Sequence, residues 1–179
     1  MRKEIEMLIK FAAASAILLC AIGAHAQVAA TAESILRQQD REFIARDLAP
    51  IDTREDLIYY LNNSDPKNPL NKLSAAARQR LLDDLIVNDE GQISSYRIDD
   101  IRTELSPSEA YRVFSLFGHA ESAAKLNNGR IDNETDRKII GLAGYVKSQQ
   151  IVPEAYCNGG YCTYNQILQC DAARCRPPH

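Results

Sequence analysis

The chain has 179 residues, a formal charge of −3, 45% apolar residues and 25% charged residues. This composition is typical of one ordinary globular domain or two small ones, and it excludes a disordered, collagen-like or coiled-coil chain. Because the net charge is slightly negative, the chain has no basic field to hold a polyanion, and nucleic acid is not predicted as a partner.

Residues 1–26 have the pattern of a signal peptide. A charged start precedes an uncharged run, and Ala24-His25-Ala26 forms an A-x-A cleavage site. The run of about 15 residues is shorter than the roughly 20 that a bilayer-spanning helix needs, which disfavours a retained anchor. Leu18 and Leu19 stand where a lipoprotein leader has small residues, so lipid attachment at Cys20 is disfavoured as well.

Cleavage after Ala26 leaves 153 residues and takes the formal charge from −3 to −4. A start at Met7 would give a cleaner leader than Met1, and both starts remain open. No other apolar stretch reaches spanning length, so no membrane span is predicted after leader cleavage. The leader resembles the bacterial type, which favours the periplasm, and the protein is predicted to be periplasmic or secreted.

Residues 27–150 are predicted to form a helical domain. Thr53, Ser74 and Ser106 stand where a side-chain oxygen can cap a helix, each ahead of an apolar stripe. Gly91 is expected to end one helix in the left-handed conformation, and residues 92–97 fit a turn or a short strand equally well. The predicted helices cover residues 32–48, 53–61, 74–88, 98–105, 107–117, 119–126 and 132–148.

Residues 151–179 are predicted to form a C-terminal cap that packs on the helical domain. An even number of cysteines in an exported chain predicts two disulfides. Asn158 to Tyr161 suit a tight hairpin turn, and Thr163 to Gln166 resemble a helix start. The predicted fold class is all-α, a small multi-helix bundle with a short disulfide-stapled C-terminal cap in which a β-hairpin fits. The cysteines of the cap are Cys157, Cys162, Cys170 and Cys175.

The helix expected over residues 163–170 constrains the disulfide pairing. It rises about 10 Å, so Cys162 and Cys170 would lie beyond the roughly 7 Å between Cα atoms that a disulfide can span. The nested pairing, 157–175 with 162–170, is therefore disfavoured. The local pairing, 157–162 with 170–175, is preferred, and the crossed pairing, 157–170 with 162–175, remains open. A 162–170 bond would show that the helix is absent.

The sequence lacks the motifs of common metal and nucleophile sites. With Gly91 or Gly129 as the sixth residue of a calcium loop, neither frame has a carboxylate at position one or twelve. A four-cysteine zinc site is disfavoured by the cysteine spacing and by the expected disulfides. His119, just past a predicted helix end, is expected to contact the last carbonyls of that helix. No catalytic residue, cofactor or metal is predicted.

Paired carboxylates carry the one catalytic alternative. Asp83-Asp84, Asp99-Asp100 and Glu104 could supply the acid and the base of a cell-wall hydrolase. Adjacent residues on a helix point about 100° apart, so each pair is explained more simply by one aspartate in water and one beside an arginine. The chain also has no tryptophan to form a sugar-stacking platform.

Tyr156, Tyr161 and Tyr164 surround the cysteines in a segment with few aliphatic residues. Tyrosine is favoured at interfaces, so these three are candidate partner-binding residues; alternatively, the rings cover the disulfides. The predicted function is that of an exported, non-enzymatic binding protein of the cell envelope, acting as inhibitor, immunity factor or accessory on another envelope or secreted protein. A structural or stress-related role without a fixed partner fits the sequence equally well.

Overall fold

The structure is a computed structural model that describes residues 37–38, 40–126, 130–142 and 151–175, without the side chains of residues 151–154, 164, 166 and 167. The predictions on the leader, on Gly129 and on the end of the helix expected to reach Ser148 lie outside these residues. The chain divides into two units, Met1–Arg41 and Glu42–His179. In the first unit residues 37, 38, 40 and 41 are described, and they are helical.

The second unit is a mixed fold of helices and an antiparallel sheet with a strand-rich C-terminal region, so the all-α prediction is wrong. Short 3-10 helices cover Pro69–Lys72 and Ala120–Lys125. The α-helices are α1 (residues 42–47), α2 (Arg54–Asn62), α3 (Ala75–Asp83), α4 (Asp99–Glu104), α5 (Pro107–Leu116) and α6 (Glu134–Gly141). The strands are β1 (Ile86–Val87), β2 (Ile93–Arg97), β3 (Ile151–Asn158) and β4 (Tyr161–Asp171).

The helix caps predicted at Thr53, Ser74 and Ser106 are confirmed. The side chains of Thr53, Ser74 and Ser106 each accept a hydrogen bond from a backbone N–H in the first turn of the helix that follows. α3 ends earlier than predicted, because the chain turns into β1. Gly91 does adopt a positive φ, of 80°, but it lies in the β1–β2 turn and not at a helix end.

The sheet has the order β1-β2-β4-β3, with every neighbouring pair antiparallel. The helix predicted over residues 163–170 is therefore wrong, since this segment is part of β4. A helix-capping pattern contributes only about 1 kcal/mol. Pairing with β2 satisfies the backbone of β4 and buries Leu168, Gln169 and Cys170, which outweighs that local preference.

An irregularity in the β3–β4 ladder bends the hairpin. Pro153 is paired with Gln169 and Ala155 with Tyr164, so four residues of β4 lie opposite a single residue of β3. An excess of residues on one strand of an antiparallel pair kinks the ribbon at that point. The same register sets the glycine turn at the far end of the hairpin, where Gly159 and Gly160 have φ values of 58° and 87°.

The main core lies between the helices and one end of the sheet. Tyr96 of β2 is buried at its centre, with its ring stacked on Phe117 at 4.4 Å and on His119 at 5.7 Å between ring centroids. A second, smaller buried cluster consists of Ala155, Cys170 and Cys175. β4 contributes Cys170 to this second cluster. Because β4 also pairs with β2, the C-terminal segment and residues 93–97 belong to one sheet.

Candidate functional site

The two disulfides have the nested pairing. Cys157 is bonded to Cys175 and Cys162 to Cys170, with Cα separations of 5.4 and 5.8 Å. The preferred local pairing and the open crossed pairing are both wrong. The nested pairing was disfavoured because a helix would hold Cys162 and Cys170 too far apart, and that helix is absent.

The nested pairing folds the hairpin back on itself. Across the ladder, Cys162 faces Cys157, and Cys170 faces Val152, which lies five positions before Cys157 in β3. In a straight strand, two residues five positions apart would lie about 17 Å from each other, at about 3.3 Å per residue. The observed 5.8 Å between Cys162 and Cys170 therefore requires the bend at the Pro153–Ala155 irregularity. The disulfides tie the turn end of the hairpin to its base.

We call residues 157–162 the hairpin tip. Its most prominent side chain is that of Tyr161, which is 70% exposed. Tyr156 is half-buried just outside the tip, and Cys157 and Cys162 pack against the small buried cluster at the base. Tyr164 lies opposite Ala155 in the ladder, but its side chain is outside the described part of the chain. Of the two candidate tyrosines whose side chains are described, Tyr156 and Tyr161, it is Tyr161 that is displayed to solvent.

A buried polar cluster lies where the base of the hairpin meets the helices. Gln169 Nε2 donates to Tyr96 Oη at 3.1 Å, and Tyr96 Oη lies 2.9 Å from His119 Nδ1. His119 Nε2 lies 3.5 Å from Asp171 Oδ2, and Arg46 Nη1 donates to both oxygens of Asp171 at 2.9 and 3.1 Å. All five side chains are less than 8% exposed. The polar cluster therefore joins α1, β2, the segment after α5 and β4.

The protonation states within the polar cluster follow from burial and hydrogen bonding. Burial raises the pKa of Tyr96 well above its usual value, so its hydroxyl keeps the proton and can donate to His119 Nδ1. Burial also lowers the pKa of His119, which keeps the imidazole neutral at pH 7. With Nδ1 accepting, the ring proton is on Nε2 and faces the Asp171 carboxylate.

Asp171 remains ionised in this setting. Burial opposes its ionisation, but the contacts of His119 and Arg46 hold the pKa of the carboxyl below its usual value. A doubly hydrogen-bonded guanidinium is the kind of partner that makes a buried carboxylate tolerable. The polar cluster is thus electrically matched and sealed from solvent, which suits it to anchoring the hairpin base.

A groove of about 340 Å³ lies beside the polar cluster, between α1, the β1–β2 turn and the turn after β4. Arg46 and Arg174 line it, but their charges are already matched by Asp171 and Asp52. The groove is lined in addition by two acidic residues, Asp47 and Glu90. The groove therefore carries no excess of positive charge for an anionic ligand.

Three of the four aspartates of the hydrolase alternative lie in an arginine-centred ion-pair network, whereas Asp83 accepts a hydrogen bond from Gln79 within α3. Arg97 contacts Asp84 at 2.6 Å, Asp99 at 2.5 Å and Asp100 at 3.1 Å. A hydrogen bond from Arg80 lowers the pKa of Asp100, whereas a general acid needs a raised one. Glu104 accepts hydrogen bonds from the backbone and hydroxyl of Ser74 at the start of α3. These acids brace the junctions between α3, β2 and α4.

The four-cysteine zinc site that the sequence disfavours would need thiolates. Three cysteine sulfurs, those of Cys162, Cys170 and Cys175, do lie within 4.8 Å of one another, but each is held in a disulfide. Within the described residues, no helix combines the length and the hydropathy that a membrane span requires.

Sequence reasoning missed the polar cluster. His119 was expected to contact the last carbonyls of the preceding helix, but its ring points into the core. The members of the polar cluster are distant in sequence, with Tyr96 and Gln169 separated by 73 positions. Even the contact between Tyr96 and His119 spans 23 positions, so the pattern of neighbouring residues in the sequence does not indicate the polar cluster.

Comparison of the chain with protein-family models, with curated proteins and with solved structures found no match.

Proposed function

We propose that this chain is an exported protein of the cell envelope that acts by binding another envelope or secreted protein, as an inhibitor, an immunity factor or an accessory. The contact is made by the hairpin tip. The observation that carries this proposal is Tyr161, which is 70% exposed at the turn of a hairpin tied by two disulfides.

The exposure of Tyr161 favours recognition over a purely covering role. A tyrosine that only covered the disulfides would be buried against them, whereas Tyr161 is 70% exposed. Tyrosine joins a large apolar ring to a polar hydroxyl and is enriched among the residues that dominate binding energy. Its neighbours Asn158, Gly159 and Thr163 are exposed as well, so a partner can approach the turn closely.

The rigidity of the hairpin supports the same proposal. Ordering a loop at an interface costs free energy, and a loop that is fixed beforehand avoids that cost. Two disulfides tie the hairpin tip to its base, and the base is anchored by pairing with β2 and by the Arg46–Asp171 ion pair. Tyr161 is thus displayed from a pre-formed support.

Export is part of the proposal and rests on the leader pattern of residues 1–26 and on the two disulfides, which persist in oxidising compartments. After cleavage the chain would carry a formal charge of −4. A basic partner would complement this charge and would be attracted over a distance of about 10 Å at 0.1 M salt.

Site-specific photocrosslinking in the exporting cell tests the proposal. A photoreactive amino acid replaces Tyr161 in one strain and Tyr59, a 68% exposed residue of α2, in a matched control. We expect one defined adduct in the envelope from position 161 and none from position 59. With the purified partner, Tyr161→Ala should weaken Kd about 30-fold, equivalent to about 2 kcal/mol, and Tyr59→Ala should leave it unchanged.

Equal adducts from both positions, or no adduct from position 161, would argue against recognition by the hairpin tip. Tyr161→Ala removes an exposed ring, so the urea midpoint of unfolding should match that of the wild type. This comparison separates lost binding from lost folding.

A further inference from the structure

The two disulfides of the hairpin form a single cluster of sulfur atoms. The sulfurs of Cys162, Cys170 and Cys175 all lie within 4.8 Å of one another, and that of Cys157 is bonded to that of Cys175. Cys175 therefore lies close to both sulfurs of a disulfide to which it is not bonded. Such proximity is the geometric requirement for exchange between a thiolate and a disulfide.

A second pairing is within reach of the same four cysteines. Cys157 and Cys162 face each other directly in the β3–β4 ladder. Facing residues of an antiparallel pair have Cα atoms about 4.5 to 5.5 Å apart, which is within the range that disulfides span. Cys170 and Cys175 are the other two residues, and their sulfurs are already neighbours. The local pairing, 157–162 with 170–175, is thus adjacent to the nested one.

The four sulfurs differ in their accessibility to an external thiol. Cys170 and Cys175 are 0% and 3% exposed, whereas Cys157 and Cys162 are only half-buried. Each disulfide thus joins a half-buried cysteine to a buried one, and an incoming thiolate meets either bond at its half-buried end. At Cys157 it releases the buried Cys175, which is the cysteine next to the second disulfide.

We propose that these four cysteines form a thiol–disulfide exchange site that converts the nested pairing into the local pairing when an external thiol, of a small molecule or a dithiol protein, attacks Cys157. The proposal rests on the sulfur geometry and does not depend on the proposed function. The external thiol is regenerated, so the conversion needs no net oxidant or reductant.

The exchange has three steps, and in each step one S–S bond forms and one breaks. The external thiolate bonds to Cys157 and releases the Cys175 thiolate. Cys175 then attacks Cys170, forming 170–175 and releasing the Cys162 thiolate. Cys162 finally attacks Cys157 in the mixed disulfide, forming 157–162 and releasing the external thiolate.

The conversion changes what the disulfides hold together. In the nested pairing, both bonds run from the hairpin tip to the base, which keeps the ribbon folded back on itself. In the local pairing, one bond closes the tip on itself and the other closes the turn after β4. The hairpin tip is then no longer tied to the base, and Tyr161 is released from its fixed position.

Disulfide mapping of the intact folded protein tests the exchange. The protein is incubated at pH 8 with a substoichiometric amount of reduced glutathione, trapped with a maleimide in acid, and digested with chymotrypsin and trypsin. Cleavage after Tyr161, Tyr164 and Arg174 separates the four cysteines. We expect the 157–162 and 170–175 linked peptides to appear in equal amounts as the nested pair declines. Mixed disulfide that accumulates at Cys157 without them, crossed linkages, or an unchanged nested pairing would overturn the proposal.

A Cys157→Ser variant isolates the second step, since it leaves Cys175 as a free thiol and needs no glutathione. With maleimide at pH 8, we expect the label on Cys162 and a 170–175 bond. Label on Cys175 with the 162–170 bond intact would contradict the proposal. At pH 4, where a thiol with a pKa near 8.5 is protonated, the transfer to Cys162 should stop.

Discussion

Gly118 lies at a close approach between two backbone segments. It has a φ of 72°, and a Cβ atom there would lie 2.6 Å from both the carbonyl oxygen of Ala45 and the Cα of Arg46. The absence of a side chain lets α1 pack directly against the turn after α5, which brings Arg46 to Asp171. The glycine thus determines whether the polar cluster can assemble.

Gly118→Ala should destabilise the protein well beyond the strain of a positive φ. Gly91 provides the matched control, because it has a φ of 80° but nothing within 4 Å of the methyl group that alanine would add. We expect Gly91→Ala to lower the free energy of unfolding by about 1 kcal/mol and Gly118→Ala by at least about 3 kcal/mol. Urea unfolding measures both, and equal losses would contradict the close packing of α1.

His119 makes stability depend on pH. Burial lowers its pKa in the folded state, whereas the unfolded chain has a value near 6.5, so the unfolded chain takes up a proton first as the pH falls. The contribution is fully present above about pH 6.5 and is lost as the pH falls from there towards the folded pKa. The slope it adds is at most about 1.4 kcal/mol per pH unit.

Urea unfolding of the wild type and of His119→Gln between pH 7 and 5 measures this contribution. The free energy of unfolding should fall more steeply with decreasing pH in the wild type than in the variant. Parallel curves would mean that the histidine is not buried in its neutral form.

At the scale of single elements, sequence reasoning succeeded where the signal is local. Thr53 and Ser106 were predicted as helix caps and are confirmed, because an N-cap acts within one turn of its own helix. The hairpin turn at Asn158 to Tyr161 was predicted and is confirmed. The strand over residues 163–170 was missed because Thr163 to Gln166 imitate a capping pattern and the partner strand β2 lies more than 70 positions away. The preferred disulfide pairing was wrong for the same reason, because it was derived from the helix expected over residues 163–170.

The junction between α1 and β4 depends on a buried ion pair, Arg46 with Asp171. Removing one partner of a buried pair leaves an uncompensated charge, which costs about 3 to 5 kcal/mol. Arg46→Ala should therefore lower the free energy of unfolding by about 3 kcal/mol. Arg137→Ala, which removes an exposed pair with Glu134, should cost less than about 1 kcal/mol. Chemical unfolding of both variants measures the difference, and similar small losses would show that Arg46 does not anchor α1 to β4.

At the scale of the whole molecule, the C-terminal segment belongs partly to the body of the fold. Residues 168–170 of β4 pair with β2, and Asp171 joins the polar cluster, whereas residues 157–162 are held to this base by the disulfides. The sequence indicated that disulfides hold the segment, but the pattern of side chains alone could not show that residues 168–170 pair with β2.

Reduction should therefore loosen the two halves of the segment unequally. Hydrogen exchange after full reduction should show rapid loss of protection over residues 155–164 and retained protection over residues 168–170, because no disulfide joins β4 to β2. A uniform loss of protection over both ranges would show that the base depends on the disulfides as much as the hairpin tip does.

Both the display of Tyr161 and the exchange site require the hairpin tip to be tied to its base. Disulfide mapping of the protein isolated from its own cell, with free thiols blocked in acid and no thiol added, tests this most directly. We predict linked peptides that join Cys157 to Cys175 and Cys162 to Cys170 and no free cysteine among the four. Four alkylated thiols, or a crossed linkage, would contradict both proposals.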